Sequence, residues 1–269
     1  MKKLLPLTAL FGLVVSGCNK APTQEGSVTI WRKYAVAQGD SLKLEWFKVD
    51  GTDGYVIYDN SSGTLAPIDT LEGDTILSYV LGTVCTQVGV STILDGELGD
   101  PGTVDLSLTA PDTTVLYSRN DPDTTHYGYF KVDLNTGDIT RVDSAHRYQS
   151  YGFLQGPQDT ITFHSSYILY ENDAGVRLYR DTVATSLDEM IKAPAPDDPG
   201  WSTVEFDSTG VALSAGDLFY FWADECGIGA PGWSGLDLFG KMEVLSVAGY
   251  TVTIRCRWQT GIFALRWLK

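Results

Sequence analysis

The sequence predicts an all-β fold in which short strands are joined by turns. Glycine is frequent, with 28 residues, and Thr, Asp, Tyr and Val recur, whereas the Lys- and Glu-rich stretches typical of helices are missing. Leu42, Leu44 and Trp46 alternate with polar residues, which is the period of a strand with one buried face. Residues 50–54 (Asp-Gly-Thr-Asp-Gly) are turn-forming and separate this strand from the next. These features favour strands and turns along the whole chain.

The N-terminus has the features of an export signal. Lys2 and Lys3 precede an apolar run over residues 4–15, which is too short to span a bilayer. The run leads into Ser-Gly-Cys, a pattern that resembles a bacterial lipobox. We therefore expect residues 1–17 to be removed as a lipoprotein signal peptide and Cys18 to carry the acyl chains that anchor the mature protein.

Residues 18–27 are predicted to form a tether between the acylated cysteine and the first folded domain, because they are small and polar. Asn19 stands where a retention signal for the inner membrane usually has Asp, so display at the outer membrane is expected. The predicted location is the cell envelope, with the membrane as a partner through the lipid anchor. Both orientations, towards the periplasm and towards the outside of the cell, are compatible with the sequence.

The charge balance restricts the other partners. The formal net charge is −15 at pH 7, from 19 basic and 34 acidic residues. Such a surface repels nucleic acid and anionic lipid head groups, so neither is expected to bind. The length allows one large domain or two ordinary ones, each with its own core.

Residues 28–107 are predicted to form a first sandwich. The stretch 42–58 reads Leu-x-Leu-x-Trp-x-x-Val-x-Gly-x-x-Gly-Tyr-x-Ile-Tyr. It resembles the fibronectin type III fold, in which a tryptophan on the second strand packs beneath a tyrosine on the third. The resemblance implies that Trp46 contacts Tyr58 or Tyr55 in the core.

A turn-rich stretch at residues 96–112 marks a predicted boundary, and residues 113–269 are predicted to form a second, larger β domain. Blocks of alternating apolar residues follow one another in this half: 128–137, 159–175, 201–206, 216–221, 240–247 and 250–259. In this order they resemble the HmuY-like family of bacterial surface lipoproteins. In that family a strand closed by Thr-Gly precedes an Asp-Ile-x-Phe strand, a lone tryptophan segment and a final hairpin.

The best-known members of this family bind haem, so the resemblance implies haem as a ligand here. Haem iron takes His or Met ligands, and its ring needs an apolar slot. His164, beside Phe163 on a predicted strand, is the first candidate ligand, and Met242 is the second. A lone strand histidine is more often structural, and Met242 fits a core position on the final hairpin. No Cys- or His-rich spacing predicts a structural zinc site.

Three cysteines remain when Cys18 is acylated. Cys226 and Cys256 both lie near the C-terminus and are the candidate disulfide, because they could join a loop to the final strand. Cys85 would then be unpaired. Three buried free thiols fit the sequence equally well.

No motif predicts catalytic residues, and the chain is not expected to be an enzyme. Residues 232–235 (Gly-Trp-Ser-Gly) lack the spacing of a nucleophile elbow, and no Gly-rich phosphate loop opens a helix.

The sequence as a whole favours a monomeric, non-catalytic lipoprotein that binds a small-molecule, glycan or protein ligand at the cell envelope. Haem is the specific ligand that the family resemblance implies, so haem capture is the first form of this function. Adhesion or glycan binding is the alternative, because C-terminal aromatics could stack on a ring: Trp222, Trp233, Trp258 and Trp267. Core packing is the commoner role of such residues. A polysaccharide-acting enzyme is the third hypothesis, since one pair among the 34 acidic residues would suffice for glycoside cleavage.

Overall fold

The computed structural model describes residues 28–133, 135–157, 160–166, 175–202, 210–224, 233–234 and 236–269. The expected signal peptide, the tether with Cys18, and Cys226 lie outside these residues. Within them the chain is all-β, as predicted, and its helical structure consists of two short 3₁₀ helices, Ser144–Gln149 and Leu187–Glu189. No helix of the described ranges is both long and apolar enough to cross a bilayer.

The first sandwich is built from β1 (Ile30–Val36), β2 (Ser41–Trp46), β3 (Gly54–Asp59), β4 (Ala66–Glu72), β5 (Ser78–Leu81), β6 (Gln87–Leu94), β7 (Glu97–Leu98) and β8 (Gly102–Asp105). One sheet has the order β1-β2-β5 and the other has the order β4-β3-β6-β7, with β8 also paired to β6. All these pairings are antiparallel. The apolar residues of β2 alternate inward as the sequence predicts, because they close the core between the two sheets.

Trp46 occupies the centre of this first core and is fully buried. Of the two tyrosines expected beside it, Tyr55 is the one in contact, with ring centroids 5.4 Å apart in an edge-to-face arrangement. The hydroxyl of Tyr55 accepts a hydrogen bond from the backbone N–H of Val49 at 3.1 Å, so its buried polar atom is satisfied.

The second sandwich contains β9 (Asp112–Tyr117), β10 (Tyr129–Val132), β11 (Ile139–Val142), β12 (Gly152–Gln155), β13 (Thr162–Ser165), β14 (Gly175–Asp181), β15 (Val211–Ala212), β16 (Leu218–Asp224), β17 (Leu238–Ala248) and β18 (Thr251–Trp258). One antiparallel sheet has the order β11-β10-β12-β13-β15 and the other has the order β14-β16-β17-β18-β9. We call them the short-stranded and the long-stranded sheet. On β18, Val252, Ile254, Cys256 and Trp258 face the core and their neighbours do not.

The outer face of the long-stranded sheet is also covered. Trp222 and Phe239 stack there with their ring centroids 5.6 Å apart, and Trp201 packs edge-on against Trp222. Lys241 lies on β17 in the same region and is 1% exposed, and its Nζ donates to the carbonyl of Met190 at 3.1 Å. A sheet face that would be solvated in a simple sandwich is therefore a second apolar layer.

The last residues of the chain join the two sandwiches. They were expected within the second domain, but Ile262, Leu265 and Trp267 pack in the core of the first. Arg266 fastens the tail, because its guanidinium donates to the carbonyls of Gln38 and Ala193 and pairs with Asp40 at 2.6 Å. Apolar burial drives this docking, so the tail is part of the first core although it follows the last strand of the second sandwich.

Candidate functional site

The connection between β9 and β10 forms one wall of the candidate site. Its backbone is held by short side-chain hydrogen bonds: Asp121 Oδ1 accepts from the N–H of Asp123 at 2.9 Å, and Asp123 Oδ1 accepts from the N–H and the hydroxyl of Thr125 at 2.9 and 2.7 Å. The hydrogen bonds from Thr125 also lower the pKa of the Asp123 carboxyl. These Asx turns give the loop a fixed shape.

His126 is oriented by this loop. Its Nδ1 lies 2.8 Å from Asp121 Oδ2, and its Nε2 lies 3.7 Å from Asp123 Oδ2. The imidazole stacks on Tyr117 with ring centroids 3.9 Å apart, and the guanidinium carbon of Arg141 lies 5.2 Å from the centroid of the same tyrosine ring. Both carboxylates of the loop therefore have polar partners, and the imidazole is fixed in the lining of the site.

The outer face of the short-stranded sheet carries a row of rings beside the loop, and one of them, Tyr129, lines the site. Tyr129, Phe153 and His164 are register neighbours on β10, β12 and β13. The rings of Phe153 and His164 stack with centroids 4.9 Å apart and an interplanar angle of 6°. The guanidinium carbon of Arg119 lies 5.1 Å from the centroid of the Phe153 ring, which is a cation–π geometry. No carboxylate of the described residues lies within ion-pair distance of Arg119.

Gly128 permits this position of Arg119. A Cβ atom at Gly128 would lie 2.5 Å from both the Cα and the N of Arg119, which is closer than real atoms approach. The close backbone contact continues through Leu154, whose carbonyl accepts from Arg119 N and whose N–H donates to Gly128 O. The glycine is therefore a structural requirement of the site rather than a generic loop residue.

The 3₁₀ helix Ser144–Gln149 contributes a further part of the lining. Asp143 caps it, because its carboxylate accepts from the backbone N–H of His146 at 2.9 Å. Arg147 is exposed, and one of its guanidinium nitrogens donates to the carbonyl of Ser144 at 2.8 Å. The cap and this back-bond position a second arginine in the lining of the site.

Together these parts enclose an open cavity of about 490 Å³, which we call the arginine pocket. Its lining consists of Arg119, Asp121, Asp123, Thr124, His126, Gly128, Tyr129, Ser144 and Arg147. The lining presents guanidinium, carboxylate, imidazole and hydroxyl groups on a backbone that the hydrogen bonds above hold in place. Such a surface suits a polar ligand with several hydroxyl or carboxyl groups.

A larger cavity of about 620 Å³ lies beside the turn between β10 and β11, and the tail residue Phe263 reaches it. Its two carboxylates are hydrogen-bonded within the turn: Asp133 accepts from the N–H groups of Asn135 and Thr136, and Asp138 accepts from the hydroxyl of Thr136. This cavity presents fewer acidic and basic side chains than the arginine pocket does, because its lining has only Lys131, Asp133 and Asp138.

The two candidate haem ligands do not meet. Met242 is 2% exposed and lies in the core of the second sandwich, in the same cluster as Phe163. His164 follows Phe163 on β13 and therefore points to the opposite face of the sheet. Its Nε2 lies 2.8 Å from the hydroxyl of Thr162, and Gly210 closes over the ring, since a Cβ there would lie 2.5 Å from it. A single iron cannot take both residues in this arrangement.

Of the candidate disulfide pair, Cys256 is a buried free thiol on the inner face of β18. Cys226, its expected partner, lies outside the described residues. Cys85 is a free thiol in the first core, and burial raises its pKa to about 12. Burial also raises the pKa of Cys256. Both thiols are therefore inert core residues at neutral pH.

The tryptophans considered for ring stacking are mainly core residues. Trp222, Trp258 and Trp267 are each at most 1% exposed, because they fill the layers on both faces of the long-stranded sheet and the first core. Trp233 is partly buried, and its Nε1 donates to the carbonyl of Ala264 at 3.3 Å. The three buried indoles cannot stack on a ligand without opening the fold.

The residues of the arginine pocket were not identified from the sequence. Arg119, His126 and Arg147 belong to two connections separated by the β10–β11 hairpin, and strand pairing brings these connections together. The Asn-Asp-Pro-Asp run at residues 120–123 was the available signal, because it marks a loop with several carboxylates.

Within the described ranges, no group of three or more His, Cys, Asp or Glu residues is arranged to hold a metal ion.

No family model and no curated protein matches the chain. Among solved structures, the chain is similar to a DUF4466 family protein from Parabacteroides merdae, at 11% sequence identity and a TM-score of 0.32. The match covers 87% of this chain and 99% of that one.

Proposed function

We propose that this chain is a lipid-anchored, non-catalytic protein of the cell envelope that binds a saccharide in the arginine pocket. The export pattern before Cys18 supports the location, and the acyl chains would tether the two sandwiches to the membrane. The observation that carries the ligand class is the pocket lining, in which planar charged groups and hydroxyls converge on a fixed backbone.

The chemistry of the lining supports a saccharide over an apolar ligand. Neighbouring sugar hydroxyls can donate to a carboxylate such as Asp121 and accept from a guanidinium such as Arg119 at the same time. Exposed rings flank the pocket residues in sequence: Tyr127, next to His126, is 42% exposed, and Tyr148, next to Arg147, is 58% exposed. Exposed tyrosines beside arginines are typical of binding surfaces.

Haem capture is the second candidate, and the aromatic row that includes Phe153 and His164 favours it. The row provides one imidazole beside two rings, which is the combination that haem would use. It would require the His164 Nε2 to leave Thr162 and the cover at Gly210 to open. The saccharide proposal requires no such rearrangement.

A glycan array probed with the purified full chain in detergent tests the proposal. We expect binding to a set of related saccharides and its loss in the double variant Asp121→Asn, Arg147→Gln, which removes two pocket charges of opposite sign and leaves the net charge unchanged. The variant Glu72→Gln, Lys33→Gln makes the same exchange at two exposed positions in the first sandwich and is expected to bind normally.

A haemin titration of the same preparation separates the two candidates. Haem binding would give a sharpened Soret band that is lost in His164→Ala. That result, together with an array without signal, would overturn the saccharide proposal in favour of haem capture.

A further inference from the structure

Arg119 and Arg141 are exposed arginines whose guanidinium groups have a cation–π contact but no ion pair or hydrogen bond with the described residues, and of the two only Arg119 lines the arginine pocket. Carboxylates pair with Arg32, Arg180, Arg255, Arg257 and Arg266. Acidic residues outnumber basic ones by 34 to 19, so carboxylate partners are abundant. Even so, no described residue offers an ion-pair or hydrogen-bond partner to the guanidinium of Arg119, although this arginine lines a pocket.

The guanidinium is nevertheless held in place. It lies over Phe153, which is 1% exposed and is stacked in turn on His164 and packed against Tyr129. The backbone of the same residue is fixed by the contact with Gly128 described above. A planar cation with a fixed support and no carboxylate is prepared for a planar anion, since a carboxylate can accept two parallel N–H bonds from it.

The carboxylates of the pocket do not fill that role. Asp121 uses one oxygen for His126 and the other for the N–H of Asp123. Asp123 uses one oxygen for Thr125 and has the other 3.7 Å from His126. The two carboxylates of the loop therefore have hydrogen-bond partners within the loop. The guanidinium of Arg119 is left to bind a group of an external ligand.

We propose that the bound saccharide is acidic and that Arg119 receives its carboxylate. This inference rests on the proposed function and names its ligand class: an oligosaccharide with uronic acid units, whose hydroxyls contact the remaining polar lining. A sulfated or phosphorylated polyanion with two or more charges per sugar unit fits less well, because the net charge of −15 repels it outside the pocket. A single carboxylate per sugar unit keeps that repulsion smaller.

The test compares oligogalacturonate with its methyl ester by isothermal titration calorimetry on the full chain in detergent. The two probes share the sugar ring and differ at the carboxyl group, which is ionised in the acid and neutral and methylated in the ester. We expect the acid to bind about 10-fold to 100-fold more tightly than the ester, as a charge-assisted bidentate pair allows. Added salt should weaken binding of the acid more than binding of the ester.

Arg119→Gln is expected to abolish the preference for the acid, and Arg119→Lys to restore only part of it, because lysine keeps the charge without the planar fork. Arg32→Gln is the matched control, since it removes the same charge from an exposed position in the first sandwich. Urea denaturation of each variant establishes that it is folded.

The outcomes separate the inference from the function on which it rests. Equal binding of acid and ester, or an acid preference that survives in folded Arg119→Gln, would overturn the inference and leave saccharide binding in place. No binding of either probe would count against both. Binding of tetraglutamate as tight as that of oligogalacturonate would show that the carboxylate is recognised without the sugar and would also overturn the inference.

Discussion

The absence of a side chain at Gly128 allows the backbone of Arg119 to approach it closely. A methyl group at position 128 would meet backbone atoms, which cannot swing aside as a flexible side chain can. We expect Gly128→Ala to lower the free energy of unfolding by about 1–3 kcal/mol and to displace Arg119 from Phe153. Urea denaturation measures the first effect.

The control for this substitution is Gly82→Ala, where the nearest atom to the new Cβ is the hydroxyl oxygen of Ser41 at 3.8 Å. A change of about 1 kcal/mol or less is expected there. Equal destabilisation by both substitutions would mean that the contact with Arg119 is not the cause.

The pKa of His164 depends on the charge of Arg119. Burial lowers the pKa of this imidazole, and Arg119 lowers it further. Arg119→Gln should therefore raise the pKa of His164, measured by NMR titration, but leave it below the ordinary value because burial persists. An unchanged pKa would contradict the electrostatic effect of Arg119 on His164.

The sign of the stability effect follows from the same shift. The unfolded chain protonates this imidazole near pH 6.5, and the folded chain does so only at a lower pH. The free energy of unfolding should thus fall as the pH drops from about 6.5 towards the folded pKa. His164→Gln lacks this component, so comparing its pH profile with that of the wild type isolates it.

Single residues were the least predictable level of this molecule. Trp46 was assigned to the first core because alternation along β2 is a local signal. The role of Arg119 depends on Phe153 and Gly128, which approach it only through the pairing of separate strands. No local pattern contains that information.

At the level of elements, β17 shows how a strand can be buried on both faces. Its inner face packs in the core, and its outer face carries Lys241, which is 1% exposed. Burial lowers the pKa of this ammonium to about 8, with the charge of Arg257 adding to the effect. The charged form therefore costs stability at neutral pH, and the hydrogen bond to Met190 offsets only part of that cost.

Lys241→Met is expected to raise the free energy of unfolding at pH 7 by on the order of 1–3 kcal/mol. The folded pKa lies below the unfolded one, so wild-type stability should rise as the pH increases from about 8 towards 10.5, and the gain from the substitution should shrink. Lys131→Met, at an exposed position on β10, should change stability by about 0.5 kcal/mol or less. A pH-independent gain in Lys241→Met would refute this account of the buried amine.

The strands themselves were largely predictable, because period-two alternation and turn residues are local features. The cover on the outer face of the long-stranded sheet was not. Trp222 was considered for stacking on a ligand ring, and the packing of Trp201 against Trp222 and Phe239 shows that this face is dry.

Across the whole molecule, the C-terminal tail makes the two sandwiches depend on each other. Trp267 fills the first core, and its Nε1 donates to the carbonyl of Asp40 at 3.0 Å. We expect Trp267→Ala to cost about 3–5 kcal/mol and to split one cooperative unfolding transition into two, because the first sandwich would lose a central residue and its link to the second.

Trp31→Ala is the control for the tail, since Trp31 is 51% exposed and should contribute about 1 kcal/mol or less. Calorimetry with both variants resolves the transitions. A single unchanged transition in Trp267→Ala would mean that the tail does not couple the sandwiches.

The tail was assigned to the second domain from its place in the sequence, and long-range docking of this kind leaves no local signature.

The measurement that tests the central claim most directly is a crystal structure of the full chain with a trimer of galacturonic acid. The account predicts one carboxylate about 2.8 Å from the guanidinium of Arg119, with the sugar ring inside the pocket between the 118–128 loop and the Ser144–Gln149 helix. A trimer bound beside the β10–β11 turn, or a trimer in the pocket whose carboxylates all avoid Arg119, would contradict it.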